Sequence, residues 1–315
     1  MPPLESVPNV SEGREPAVVE AIGAAFASGG ARLLDTHVDA DHHRSVFTLV
    51  GSDRALEDGL VAGIAEACRR IDLRRHDGIH PRVGAADVVP VVPLAVGDMA
   101  RATEVARAVG ERVGTEVGVS VFFYGEIGGA RRPVFFRRGG PDELQRRIDR
   151  GELSPAFGPR RLDPRCGAVL VGVRAPLLAF NVSLDGALEA AEAVAVAVRE
   201  SGGGMPGVQA IGLRLGDGTI QVSTNVIDLE ATQPHEMVER IVAEAEAHGA
   251  RVGGGELVGL IPAASVAAAA RAAGVERPLD ARGLPTDGAL GAAARALRLE
   301  RLDEDRVLEW HLAET

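Results

Sequence analysis

One order of strands and helices occurs twice along this chain, and that repeat limits the folds open to it more than any other feature. In the second half, the short apolar run 177–183 (LLAFNVS) suits a buried strand. The Ala- and Glu-rich stretch 184–200 suits a helix, ended by the SGGG of 201–204. Residues 208–215 and 219–227 read as strands joined by Gly216-Asp217-Gly218, a hairpin signal. A helix with proline near its start follows at 234–248, and a last strand at 252–261. The first half gives the same succession: strand 5–10, helix 16–27, strands 32–37 and 44–51 around a polar turn at 38–43, helix 54–71, and an apolar strand 87–94 broken by Pro90.

The order β-α-β-β-α-β is the split unit of ferredoxin-like folds. The expected class is therefore α/β (α+β), with two tandem subdomains at 1–174 and 175–315 and a cleft between them. The first carries an extra helix (98–113) and an extra strand (118–124). The second ends in an Ala-rich helical tail from residue 263, to which no chemistry is assigned. Asn9-Val10-Ser11 and Asn181-Val182-Ser183 fall at the end of the first strand in their respective halves, an echo that supports duplication.

Composition excludes several chemistries. All 34 basic residues are arginine, which rules out a lysine Schiff base, a P-loop lysine and a lysine general base. Arginine nevertheless suits carboxylates, whose geometry its planar fork matches. A net charge of −11 and an aromatic content of 3% argue against nucleic acid as a partner. No apolar run reaches the roughly 18 residues of a membrane span, and MPPLESVPNV lacks a basic-then-apolar leader, so a soluble cytoplasmic protein is expected. Cys68 and Cys166 are too few for a disulfide scaffold, and Cys68 reads as a small buried apolar residue of a helix.

Residues 131–174 hold eleven arginines and five acids, with Gly-Pro breaks at 140–141 and 158–159. They read equally as a solvated linker with one helix at 142–150 or as a basic lining for an anionic substrate. The densest chemistry lies at Arg74-Arg75-His76-Asp77-Gly78-Ile79-His80-Pro81-Arg82-Val83-Gly84. Pro81 biases His80 toward an extended backbone, and a histidine so held beside arginines suits general acid–base work. The i, i+4 spacing of His76 and His80 invites zinc, but Gly78 and Pro81 argue against a helix and no third ligand is evident, so no metal is expected. The run Asp35 to His43 reads as a polar turn; a functional reading puts Asp35, Asp39 and Arg44 at strand ends facing a cleft.

Taken in order, several blocks resemble one family. Val7-Pro8-Asn9-Val10-Ser11-Glu12-Gly13, the stretch DLRRHDGIHPRVG at 72–84, Asp87-Val88-Val89-Pro90, Phe157-Gly158-Pro159, Phe180-Asn181-Val182, Gln221-Val222-Ser223-Thr224-Asn225 and Glu256-Leu257-Val258-Gly259-Leu260-Ile261-Pro262 are similar to motifs of the glutamate formimidoyltransferases, a domain that mammals fuse to a cyclodeaminase. His43 departs from the asparagine expected there.

The resemblance implies a transferase that moves a formimidoyl group between N-formimidoyl-L-glutamate and tetrahydrofolate, the folate being co-substrate. It maps the catalytic histidine onto His80. Asn9, Asp35, Asp39, Arg44, Arg82, Gly158, Pro159, Arg160, Arg161 and Asn181 are expected to bind substrate, with Arg160 and Arg161 attracting the folate's glutamyl tail. It also implies a homodimer acting on small molecules. A formyl donor, or folate binding without turnover, are the alternative readings.

Overall fold

The computed structural model describes residues 2–78, 81–95 and 97–313. The chain forms two compact units, Met1–Ala175 and Pro176–Thr315, each with its own sheet.

The first unit starts with β1 (Leu4–Ser6) and β2 (Asn9–Val10), two pieces of one strand line interrupted at Val7-Pro8. Pro8 has no N–H for the ladder, and its carbonyl accepts from Phe47 N at 3.0 Å. Then come α1 (Pro16–Ala27), β3 (Arg32–Asp39), β4 (Arg44–Gly51), α2 (Asp53–Arg70) and β5 (Ala86–Pro93). The β1/β2 line lies between β4 and β5 and is antiparallel to both, with β3 outside β4. This is a complete ferredoxin-like unit. It is enlarged by α3 (Met99–Arg112), β6 (Ser120–Gly125), α4 (Pro133–Arg137), α5 (Gly140–Asp149) and β7 (Ala168–Val173), with β7 parallel between β5 and β6.

Helix α1 opens with proline at its first position, where the missing N–H costs nothing. Helix α2 is capped by the Ser52 hydroxyl, which accepts from Ala55 N, with Asp53 in its first turn and Arg69 and Arg70 in its last. Ile22 and Phe26, and Leu56, Leu60 and Ile64, recur at i, i+4 and are fully buried. Phe26 meets Phe47 of β4 with ring centroids 5.3 Å apart.

The second unit runs β8 (Leu178–Asp185), α6 (Leu188–Val198), β9 (Val208–Arg214), β10 (Ile220–Val226), α7 (Pro234–Ala247) and β11 (Arg251–Val258). Its sheet order β11-β8-β10-β9, antiparallel throughout, is the ferredoxin-like arrangement again. Phe180, Val182 and Val222 pack against Val194, Val198, Met237 and Ile241. The tail forms α8 (Ala263–Ala272), α9 (Asp287–Ala296) and α10 (Leu308–Ala313), and Val266, Ala270, Leu290 and Ala293 join the same core.

Four expectations change. Residues 168–173 are not linker but β7, an interior strand with every residue buried. Pro90 does not break β5; the strand runs through it, and its carbonyl accepts from Ser6 Oγ at 2.6 Å. Helix α6 begins at Leu188, because Leu184 still belongs to β8. Cys68 is not a lone apolar residue: it is disulfide-bonded to Cys166, 98 residues away, with Cα atoms 4.9 Å apart.

That bond ties the last turn of α2 to the segment entering β7, and closing a loop of this length is worth about 2–5 kcal/mol. Protein denatured without reductant should therefore show no titratable thiol, and reduction should lower the melting temperature by several degrees. One titratable thiol per cysteine before reduction would show that the pair is open.

Candidate active site

Three segments far apart in sequence meet at one rim of the first sheet: residues 9–14, the β3–β4 turn, and the loop from α2 to β5. Close backbone approach holds them together. A Cβ on Gly13 would lie 2.6 Å from Arg44 N, and one on Gly78 would lie 2.5 Å from His42 O and 2.6 Å from His43 Cβ. Only glycine permits these approaches. Ser11 fastens the first segment to the loop: its N donates to Ala85 O and its Oγ to Gly84 O, both at 2.8 Å.

Carboxylates and imidazoles alternate across the junction. Glu12 accepts from Arg14 N at 2.7 Å and Glu15 N at 3.0 Å, and lies 3.2 Å from His43 Nε2. Burial opposes its ionisation, but these donors outweigh burial and hold its carboxyl below the usual range. Asp39 accepts from the backbone N of His42 at 2.8 Å and pairs with the same residue's ring Nδ1. Burial works against Asp39 as well, yet His42 and Arg44 bring it down to about 2.

The His43 and His76 rings stack with centroids 4.0 Å apart. His76 Nε2 faces His43 O at 3.0 Å, and His76 Nδ1 accepts from Gly78 N at 3.1 Å. Arg82 Nη1 also lies against both nitrogens of the ring. Burial first, then the charges of Arg82 and His43, lower His76 to about 4.

Behind the loop, Asp87 is 3% exposed. Its Oδ1 accepts from Val83 N at 2.6 Å and Gly84 N at 3.2 Å, and its Oδ2 from Arg137 Nε at 2.8 Å. Arg82 Nη2 donates to Gly78 O at 3.0 Å and His42 O at 3.2 Å. Burial and the neighbouring Arg137 and Arg44 lower Arg82 to about 10, against the pull of Asp87. Asn9, Arg44, Arg82, Asp87 and Arg137 line a small recess. A wider groove of about 500 Å³ between α1 and β3 is lined mainly by apolar side chains such as Val19, Leu33 and Val38.

The structure thus brings Asn9, Asp39, Arg44 and Arg82 together. Asp35 is half-buried on β3, four residues before Asp39, and does not line the recess. Gly158 and Pro159 pack at the start of β6, where Ser120 Oγ donates to Pro159 O at 2.6 Å. Arg160 donates to Ile148 O at 3.0 Å near the end of α5, and both Arg160 and Arg161 are exposed. Asn181 belongs to the second unit, where its Nδ2 donates to Glu256 Oε2 at 2.9 Å. His80 lies outside the described residues. Glu12 and Asp87 were not singled out although both lie in quoted motifs, and nothing marks Arg137 among eleven arginines.

Titrating groups set among guanidiniums at a sheet rim suit an enzyme that moves protons on an anionic substrate. The chain belongs to the formiminotransferase domain family: residues 3–174 match its N-terminal subdomain and residues 179–273 the domain that follows. It is 37% identical over 268 residues to a glutamate formimidoyltransferase of Streptococcus pyogenes serotype M1, covering 82% of this chain and 89% of that one. It is 35% identical to one of Thermoplasma acidophilum, covering 82% and 88%. The formimidoyltransferase-cyclodeaminase of Gallus gallus is 39% identical over 82% of this chain, which spans half of that longer protein.

The His76 shift fixes a pH dependence. Its pKa falls from 6.5 to about 4 on folding, so between these values the unfolded chain holds the proton and the folded chain does not. Stability from this group is full above pH 6.5 and declines as pH drops toward 4. The melting temperature should fall across that window, and His76→Gln should make the decline shallower. An unchanged slope in the variant would remove His76 as its source.

Proposed function

We propose that the protein transfers a formimidoyl group between N-formimidoyl-L-glutamate and tetrahydrofolate, with His80 carrying the proton. The reading is carried by one observation: the N-V-S-E-G segment, the β3–β4 turn and residues 76–78 and 81–84, apart in sequence, converge on a single rim.

The chemistry is an exchange of amines on an amidine carbon. The attacking nitrogen adds to that carbon, a tetrahedral intermediate forms, and the other nitrogen leaves. One proton must come off the entering nitrogen and one must reach the leaving nitrogen, so a single group of pKa near neutrality can serve both steps. His76 is ill suited: at about 4 it is too acidic, and both ring nitrogens are engaged. His80, four residues on in the same block, takes the role.

The remaining groups orient. Asp39 fixes the His42 ring, Glu12 faces His43, and Arg82 ties the loop to the turn. Tetrahydrofolate as co-substrate, a homodimer and a cytoplasmic setting belong to the same proposal and rest on the family resemblance. That no helix among the described residues is long and apolar enough to cross a membrane is compatible with it.

The purified protein should convert tetrahydrofolate when given N-formimidoyl-L-glutamate, and His80→Ala should lower turnover by roughly 10²–10⁴, the range for one acid–base group. Folate affinity should change little. Near-native turnover in the variant would move the proton-carrying role elsewhere.

A further inference from the structure

We propose that Arg137, together with Arg44 and Arg82, forms a carboxylate-binding recess that takes the α-carboxylate of the amino-acid donor. The inference rests on the transfer reaction proposed above and assigns one substrate group to one place.

Three guanidiniums and one carboxylate line the recess. They come from separate parts of the chain: Arg44 opens β4, Arg82 lies in the loop before β5, and Arg137 ends α4 in the arginine-rich segment. The recess is about 10 Å³, room for one water-sized group such as a single carboxylate oxygen. Asp87 is already committed: two backbone N–H groups hold one of its oxygens and Arg137 holds the other. Asp39 and Asp77 act on Arg44 and Arg82 respectively from outside the lining.

Asp87 pairs with Arg137 through both Nε and Nη2, and Asp39 and Asp77 act on the other two guanidiniums, so a carboxylate entering the recess joins a cluster that is already partly compensated. Burial lowers Arg82 first, Asp87 pulls it back up, and Arg137 and Arg44 each push it down.

The position selects the carboxylate. Arg82 stands two residues after His80, the proposed proton carrier. In N-formimidoyl-L-glutamate the reacting nitrogen and the α-carboxylate share one carbon, so a group that handles the first lies beside the second. The folate's carboxylates are separated from its reacting nitrogen by a whole aminobenzoyl group.

The test compares N-formimidoyl-L-glutamate with its α-carboxamide, in wild type and Arg137→Gln. Wild type should prefer the acid by about 10- to 100-fold in kcat/KM, the worth of a charge-assisted contact. In Arg137→Gln that ratio should collapse toward one, with KM for tetrahydrofolate and its polyglutamates changing far less than KM for the acid. Arg137→Lys, which keeps the charge beside Asp87 but lacks the fork, covers a Gln variant that fails to fold, and should keep only part of the preference.

Calorimetry with N-acetyl-L-glutamate and its α-amide reads the recess without turnover, and wild type should bind the acid more tightly by a similar factor. Such a binding preference without any transfer would uphold the recess and sink the reaction. Transfer with an acid-to-amide ratio unmoved by substitution of Arg137 would sink the recess and uphold the reaction. Loss of polyglutamate preference instead would assign the recess to the folate and overturn the donor. A wild type that treats acid and amide alike in both measurements would overturn the recess altogether.

Discussion

The buried carboxylate of Asp87 is the interaction on which the first unit's rim depends. It sits at the start of β5, the strand shared by the ferredoxin-like unit and its parallel extension. One oxygen gathers the N–H groups of Val83 and Gly84, so the loop after Arg82 turns around it. The other oxygen receives Arg137 at 2.8 Å and 2.5 Å, bringing a side chain of the extension into the same place. Inside a protein such a network is strong when complete and costly when broken: leaving Asp87 without Arg137 would cost about 3–5 kcal/mol. Both the loop's shape and the presence of a third guanidinium follow from this carboxylate.

A second constraint acts on the same loop from the side of β7. Cys68 at the end of α2 is bonded to Cys166, Leu73 N donates to Arg165 O at 2.9 Å, and Ala85 N donates to Cys166 O at 2.8 Å. The loop therefore leaves α2 and enters β5 against one and the same segment. Cys166 is 4% exposed, while Cys68 is only partly buried. A covalent tie and a buried ion network thus fix the two ends of the stretch in which the family motif lies.

Much of the fold was legible because it rests on local signals. Pro16 at a helix start and the Gly216-Asp217-Gly218 turn each say what their own neighbours do. What escaped depends on the wider chain. The run Ala168 to Val173 is apolar enough for a buried parallel strand, but it lies in the arginine-rich stretch, and average charge obscured it. Pro90 would end an isolated strand, whereas here β5 has partners on both sides and its missing donor is one among many. Around the recess, Asn9 and Arg82 stand in quoted motifs, and Arg44 follows from the strand-end reading of the turn before it. Arg137 and Arg160 could not be told apart, since which arginine reaches a recess and which one holds a helix end is decided by tertiary contacts.

The two units differ at one equivalent position. Asn9 lies on a strand between the third and fourth strands of its unit, as Asn181 does in the other. In the second unit that slot is closed by a hydrogen bond from Asn181 to Glu256, a neutral amide on a carboxylate. In the first unit the same slot opens onto three guanidiniums. One of them, Arg44, begins the third strand of the repeat; another, Arg82, lies in the connection to the fourth. The last, Arg137, comes from α4 in the extension that follows β5, and the second unit's β11 is followed by the tail helices instead. The repeat supplies a rim with an asparagine on it, and the charge around that asparagine differs between the two units.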